Sequence, residues 1–285
     1  MSGTVVSVGL VQISGQPFEV DLNRELADRS ASSAFEQGAD IVVLPEMIIP
    51  GYVADRERLM AIAEPIDGPT VGAWTKLAAR VDGYVVGGFC EADGDAIFNT
   101  AVAVGPEGLI LHYRKVHLFD DEKLAFQPGD LGFPVVETRF GRIGVCVCYD
   151  LRFVEVVRIM ALNGADMICV PTAWLSGFDE ERWDDKGMPP QARGAVLQAN
   201  LSQVFIACAS QAGEHGGRFF LGGSCLVDPY GALAAGPLPG SEFATHVTEI
   251  EISAAKRAQV RSPLIAPRAD RRTDVYQIRY QGQLL

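Results

Sequence analysis

Cys148 stands where an apolar run gives way to a polar one. The segment Ile143-Gly144-Val145-Cys146-Val147-Cys148 is followed at once by Tyr149-Asp150-Leu151-Arg152-Phe153. The run alternates and is bounded by Gly141 and Gly144, so it reads as a buried strand. Asp150 suits the cap of a helix over Leu151–Asn163, whose apolar positions Phe153, Val156, Val157 and Met160 recur at helical spacing. A thiol is thereby held on a sharp turn from strand to helix, where backbone N–H groups and the helix dipole point outward. Such a turn can favour thiolate and cradle an oxyanion.

The other five cysteines, Cys90, Cys146, Cys169, Cys208 and Cys225, lie inside apolar runs and read as small buried hydrophobes. Cys146 is the nearest rival, but it precedes the end of the strand. A thiol is mostly protonated at neutral pH and needs a base. Glu46 follows a short buried strand directly, after Pro45, where a carboxylate is costly to bury without a task or a partner. Its ordinary alternatives are a helix cap or a surface acid. Lys115 closes a hairpin strand in Tyr113-Arg114-Lys115-Val116-His117. Alone it reads as a solvated lysine, but beside a thiol and a carboxylate its ammonium can hold the oxyanion formed on attack at an amide carbonyl. His117 lies two residues further on, and a Cys148–His117 dyad stays open at this point. A serine mechanism finds no GxSxG turn.

Elements that alternate between strand and helix must position these groups. Val5–Ile13, Ile41–Leu44 and Tyr84–Phe89 read as strands, and Leu22–Gln37 and Val71–Val81 as helices. Asn99–Val104 and Leu109–Tyr113 flank Gly105-Pro106-Glu107-Gly108 as a hairpin. In the second half Ile143–Val147, Met167–Val170, Val204–Ala209, Gly223–Val227, Leu233–Ala235 and His246–Ile250 read as strands, with a helix over Gln191–Leu201. Ser176–Pro190, with five acids over Asp179–Asp185, and Gln211–Phe220 read as loops. One stretch echoes another: Gln37-Gly38-Ala39-Asp40-Ile41-Val42-Val43-Leu44-Pro45 recurs as Asn163-Gly164-Ala165-Asp166-Met167-Ile168-Cys169-Val170-Pro171. In both a helix ends at glycine, a buried strand follows and proline stops it. Two similar halves predict two sheets packed face to face, each covered by helices. No linker composition separates them, so residues 1–285 read as one domain.

The chain has 285 residues, 48% of them hydrophobic and 21% charged, which suits a globular protein with a sizeable core. A net charge of −12 disfavours nucleic acid and anionic membrane surfaces as partners. The start of the chain shows no signal-peptide pattern and no stretch is long enough to span a bilayer. Six cysteines without a paired framework, CxxC or HExxH predict reduced thiols in the cytoplasm.

Three segments, Gly38-Ala39-Asp40-Ile41-Val42-Val43-Leu44-Pro45-Glu46, Tyr113-Arg114-Lys115-Val116-His117-Leu118 and Gly144-Val145-Cys146-Val147-Cys148-Tyr149-Asp150-Leu151-Arg152-Phe153, together resemble the nitrilase superfamily of carbon–nitrogen hydrolases, in the family's order and over nearly the whole chain. Asn99-Thr100, Phe126-Gln127-Pro128-Gly129-Asp130, the 222–229 segment and the 271–276 segment add weaker agreement. The resemblance implies a four-layer α-β-β-α sandwich. It implies Glu46 as general base, Lys115 as oxyanion stabiliser and Cys148 as nucleophile. Many members carry a second glutamate four residues before the phenylalanine of the F-x-P-G-D segment. Here that is Glu122, which would position the lysine and the substrate amine; otherwise it is one more exposed acid in Asp120-Asp121-Glu122-Lys123. Val154 stands where the family often has proline.

No metal or organic cofactor is implied. Tyr149-Asp150 after the cysteine is more similar to amidases than to true nitrilases, which usually show Trp-Glu. The implied activity is conversion of a small amide to acid and ammonia. N-carbamoyl amino-acid and ω-amide hydrolysis are alternatives, with nitrile hydrolysis, acyl transfer or a non-catalytic binding role behind them. Tyr149 would contact the substrate, its N–H facing the oxyanion, and Trp174 would form a pocket wall unless it simply packs in the core. The resemblance further implies at least a homodimer, paired through the helices near the nucleophile, with residues 262–285 as an extended C-terminal arm exchanged between subunits.

Overall fold

The computed structural model describes residues 4–178 and 187–285. The acid run over Asp179–Asp185 therefore lies outside the described residues. The elements in chain order are β1 (Val5–Gln12), α1 (Val20–Glu36), β2 (Ile41–Val43), α2 (Arg56–Met60), α3 (Pro69–Val81), β3 (Tyr84–Asp93), β4 (Ala96–Gly105), β5 (Gly108–Arg114), α4 (Glu122–Ala125), β6 (Val135–Thr138) and β7 (Gly141–Val145). A single 3-10 turn, Cys148–Arg152, follows β7 and leads into α5 (Val154–Leu162) and β8 (Met167–Thr172). Then come α6 (Pro190–Ser202), β9 (Phe205–Ser210), β10 (Ala212–His215), β11 (Arg218–Leu221), β12 (Cys225–Val227), β13 (Leu233–Ala235), β14 (Ala244–Glu251), α7 (Ala254–Arg257) and a terminal hairpin of β15 (Arg279–Tyr280) and β16 (Gln283–Leu284).

Two six-stranded sheets form, in the orders β14-β1-β2-β3-β4-β5 and β13-β12-β9-β8-β7-β6. Each has three parallel strands at its centre, β1-β2-β3 and β7-β8-β9, flanked by antiparallel ones. The β2 residues alternate their burial between two layers, as strands covered on both faces do. Ile41 and Val43 join Val145, Val147 and Ile168 in the cluster between the sheets. Val42 and Leu44 face Ala27, Ala31 and Ala34 of α1 and Trp74 and Leu77 of α3. On the other side Val156, Val157 and Met160 of α5 and Ala192, Ala195 and Ala199 of α6 cover the second sheet. The result is the four-layer α-β-β-α sandwich.

The sequence echo is a structural repeat. Gly38 and Gly164 end their helices at φ of 93° and 92°, a conformation open to glycine at little cost. The Asp40 carboxylate accepts the Ser7 N–H at 2.8 Å, and Asp166 accepts the Arg142 N–H at 3.0 Å. Each aspartate pins its strand to the preceding one, so the short strands of the two halves enter their sheets in the same way.

Three readings need correction. The helix begins at Val154 rather than Leu151, because residues 148–152 form the 3-10 turn. Asp150 does not cap it; its carboxylate turns back into the protein and binds Tyr113, His117 and Val147. Part of Gln211–Phe220 is the β10–β11 hairpin, closed by Gly216-Gly217. Residues 262–285 make contacts with the body of the chain. Arg268 donates to the carbonyls of Ala161 at 2.6 Å and Ser202 at 2.7 Å, closing the ends of α5 and α6, and Tyr280 meets the Phe133 N–H. Among the described residues no helix is long and apolar enough to cross a membrane.

Candidate active site

The C-terminal ends of the parallel strands in the two sheets meet at the seam between the halves, the place where open α/β sheets gather ligands. Glu46 leaves β2 there, and its N–H reaches across to the Thr172 carbonyl at 3.3 Å. Gly88 lets that segment lie close against β3: a Cβ at Gly88 would come within 2.6 Å of the Met47 nitrogen and 2.9 Å of the Glu46 Cα. Gln211 holds the Glu46 carbonyl at 2.8 Å. Lys115 follows β5, its main chain fixed by the Asn99 carbonyl and the Gly129 N–H, each at 2.8 Å. Glu122 opens α4.

These side chains converge away from the surface. Glu46 is 0% exposed, and Lys115 and Glu122 are each 1% exposed. The Lys115 ammonium donates to Glu46 Oε1 at 2.6 Å and to Glu122 Oε1 at 2.8 Å. Asn99 Nδ2 bridges the same two oxygens at 2.8 and 3.3 Å. Tyr52 Oη donates to Glu122 Oε1 at 2.6 Å, and the Phe119 N–H to Glu122 Oε2 at 2.8 Å. Glu122 is thus fully engaged and is no surface acid. Glu46 is engaged on one side only, since its buried Oε2 has no hydrogen-bond partner. That is the geometry of a base whose free oxygen awaits a proton.

Two carboxylates share one ammonium, so the buried cluster carries one excess negative charge when both are ionised. Burial, and then the neighbouring Glu122, push the Glu46 carboxyl up to about 7 against the pull of Lys115. Burial works against the Lys115 charge, but Glu122 and Glu46 overcome it and hold the ammonium well above its usual range.

Cys148 sits beside this cluster on a left-handed turn, φ 46°. That conformation is costly for a residue with a Cβ and recurs where a nucleophile is displayed between strand and helix. Burial and then the Glu46 charge raise the thiol well above its ordinary value, while Lys115 and the Ala173 N–H pull it down. The resting sulfur is therefore a thiol, and its proton must leave as it attacks. Cys148 is half-buried and lines a cavity of about 60 Å³ with Phe119, Tyr149, Trp174, Leu175 and Phe178. Cys146, the rival, is 0% exposed inside the core between the sheets. Trp174 both lines the cavity and packs in that core. The Arg152 guanidinium stands 5.5 Å over the Phe178 ring at the cavity wall.

His117 has another occupation than the open dyad. Its Nδ1 lies 2.8 Å from Asp150 Oδ1, and its ring stacks on Phe153 at 3.6 Å. Asn99, Tyr52 and Asp150 are the site's unassigned members. A signal existed for the first: Asn99 is the polar residue in the apolar run Ile97-Phe98-Asn99, and a buried strand keeps such a residue only with partners.

Comparison with known proteins places this arrangement. The carbon–nitrogen hydrolase family profile matches residues 7–261. The chain is 38% identical over 227 residues to a nitrilase of Pyrococcus abyssi, covering 79% of this chain and 82% of that protein. It is 31% identical over 258 residues to an (R)-stereoselective amidase of Pseudomonas sp., 89% and 88% of the two chains, and 31% identical over 260 residues to a human omega-amidase, 86% and 87%. Among solved structures an amidase from Nesterenkonia sp. superposes with a TM-score of 0.76 at 25% identity, covering 96% of both chains. A mutant of that amidase, TM-score 0.75 at 25% identity over 95% and 98% of the chains, shows Michael addition of acrylamide at its active-site cysteine.

Proposed function

The chain belongs to the carbon–nitrogen hydrolase family, and from that premise we propose that it is a cysteine-dependent amidase converting a small amide to carboxylic acid and ammonia. The observation that carries this is a thiol on a left-handed turn, open to an apolar cavity, beside a buried cluster of Glu46, Lys115 and Glu122.

Cys148 attacks the amide carbonyl as Glu46 Oε2 takes its proton. The Lys115 ammonium and the Tyr149 N–H hold the oxyanion. Ammonia leaves with the proton returned by Glu46, and a thioester remains. Glu46 then takes a proton from water as it attacks. The acid departs, and the proton goes back to the sulfur. Glu122, held by Tyr52 and the Phe119 N–H, keeps Lys115 aimed between the two carboxylates. Tyr149 and Trp174 face the acyl group. The scheme calls on no cofactor or metal.

Ammonia release across aliphatic and aromatic amides, ω-amides of dicarboxylic acids, N-carbamoyl amino acids and nitriles tests this reading. A small amide is expected to be the best substrate, and turnover of nitriles alone would overturn the assignment. With that amide, kcat/KM is expected to rise as pH climbs through about 7, because Glu46 acts as a base only once its carboxyl has lost its proton. Added hydroxylamine separates hydrolysis from acyl transfer, since a transferase would yield hydroxamate in preference to free acid.

We also propose a cytoplasmic homodimer. Six free thiols support a reducing compartment. Val154 of α5 and Leu197 and Leu201 of α6 are 58%, 62% and 53% exposed, an apolar face near the nucleophile suited to a second copy. Sedimentation at micromolar concentration is expected to give a dimer or larger; a clean monomer would refute pairing.

A further inference from the structure

Asp150 is a buried carboxylate that the reaction itself does not use. It is 0% exposed and lies two residues beyond the nucleophile. Burying a carboxylate costs several kcal/mol unless its lone pairs are filled. Here all are. Oδ2 accepts the Tyr113 hydroxyl at 2.7 Å and the Val147 N–H at 3.0 Å. Oδ1 accepts the His117 N–H at 3.0 Å and faces its Nδ1 at 2.8 Å.

The identity of those partners is informative. Tyr113 and His117 stand two residues before and two after Lys115. Val147 immediately precedes Cys148, and the Asp150 N–H closes back on the Val147 carbonyl at 3.0 Å. One carboxylate therefore ties the segment that carries the ammonium, from one sheet, to the turn that carries the sulfur, from the other. The turn needs holding, because a left-handed backbone is costly for a residue that carries a Cβ. The stacking of His117 on Phe153 fastens the far side of the same turn.

We propose that Asp150 is a positioning residue that fixes the Cys148 sulfur relative to the Lys115 ammonium, with Tyr113 and His117 as its anchors. This role rests on the amidase reading of the site. Ammonia release by the unsubstituted protein tests that reading separately, and the comparison below starts from a substrate it turns over.

Asp150→Asn keeps the shape but turns an N–H toward one pair of donors. Its expected signature is a fall in kcat on the order of a hundredfold, the scale of a misplacement of about 1 Å, with KM little changed. Alkylation of Cys148 by iodoacetamide needs the sulfur but no aligned ammonium, so it is expected to slow far less than amide turnover. A purely structural residue would instead lower the melting temperature and leave the kcat of the folded fraction intact, and that result would overturn the proposal. Should Asp150→Asn fail to fold, Tyr113→Phe removes one bond of the set. A tenfold or greater loss in kcat at unchanged KM is expected there, and wild-type kcat in that folded variant would equally overturn it.

Discussion

Replacing Cys148 with alanine is expected to lower amide turnover by at least roughly a thousandfold, because members of an interdependent catalytic group cannot substitute for one another. The fold should survive. The side chain is half-buried, and alanine meets the same left-handed backbone at similar cost. Cys146→Ala supplies the contrast. That residue lies 0% exposed between the sheets, so truncation leaves a small void and costs stability, while kcat stays near the wild-type value. Ammonia release and thermal melting of both variants check the pair of outcomes. Unaltered turnover in Cys148→Ala would remove the nucleophile from the scheme altogether.

The second large effect is expected at Lys115. Lys115→Met nearly conserves volume but leaves Glu46 and Glu122 facing each other with no cation between them. Removing one partner of a buried ion pair costs about 3–5 kcal/mol, and here the remaining charges also repel. Activity is expected to vanish, since neither the oxyanion nor the base retains its partner. The stability loss carries a pH signature. Two unpaired buried carboxyls bind protons more tightly in the folded state than in the unfolded one. Folding then favours protonation, so the deficit is smallest in acid and grows as pH rises toward and past neutrality. Denaturant melts of the variant and the parent at pH 5 and pH 8 measure it. A deficit that shrinks on going to pH 8 would mean the carboxylates are paired elsewhere.

Much of this site could be read in one dimension because local chemistry specified it. The alternation before Cys148 required a strand, and the polar residues after it required a turn. The repeated Gly-Ala-Asp stretch carried the duplicated architecture, since each aspartate performs the same strand-pinning task. Glu46 was legible because a carboxylate directly after a buried strand needs a reason. What stayed hidden depended on partners far along the chain. Asp150 satisfies every rule for a cap, but groups 33 and 37 residues away, together with the Val147 N–H, draw its carboxylate inward. Tyr52 meets Glu122 across 70 residues, and no local pattern marks it as anything but a core aromatic. The β10–β11 hairpin carries glycines and charges without an apolar alternation, so only its packing under Leu175 and Tyr52 makes it a strand pair.

The sharing of one ammonium by two acids has a bearing on how a turnover ends. The amide that enters is neutral, and the acid that forms becomes an anion on reaching neutral pH. It then finds itself beside a cluster already in electrostatic deficit, and the same imbalance that makes Glu46 a strong base at pH 7 drives the product out. Clearing the pocket and arming the base draw on a single charge arrangement, so a change that neutralised the cluster to tighten binding would slow both ends of the cycle.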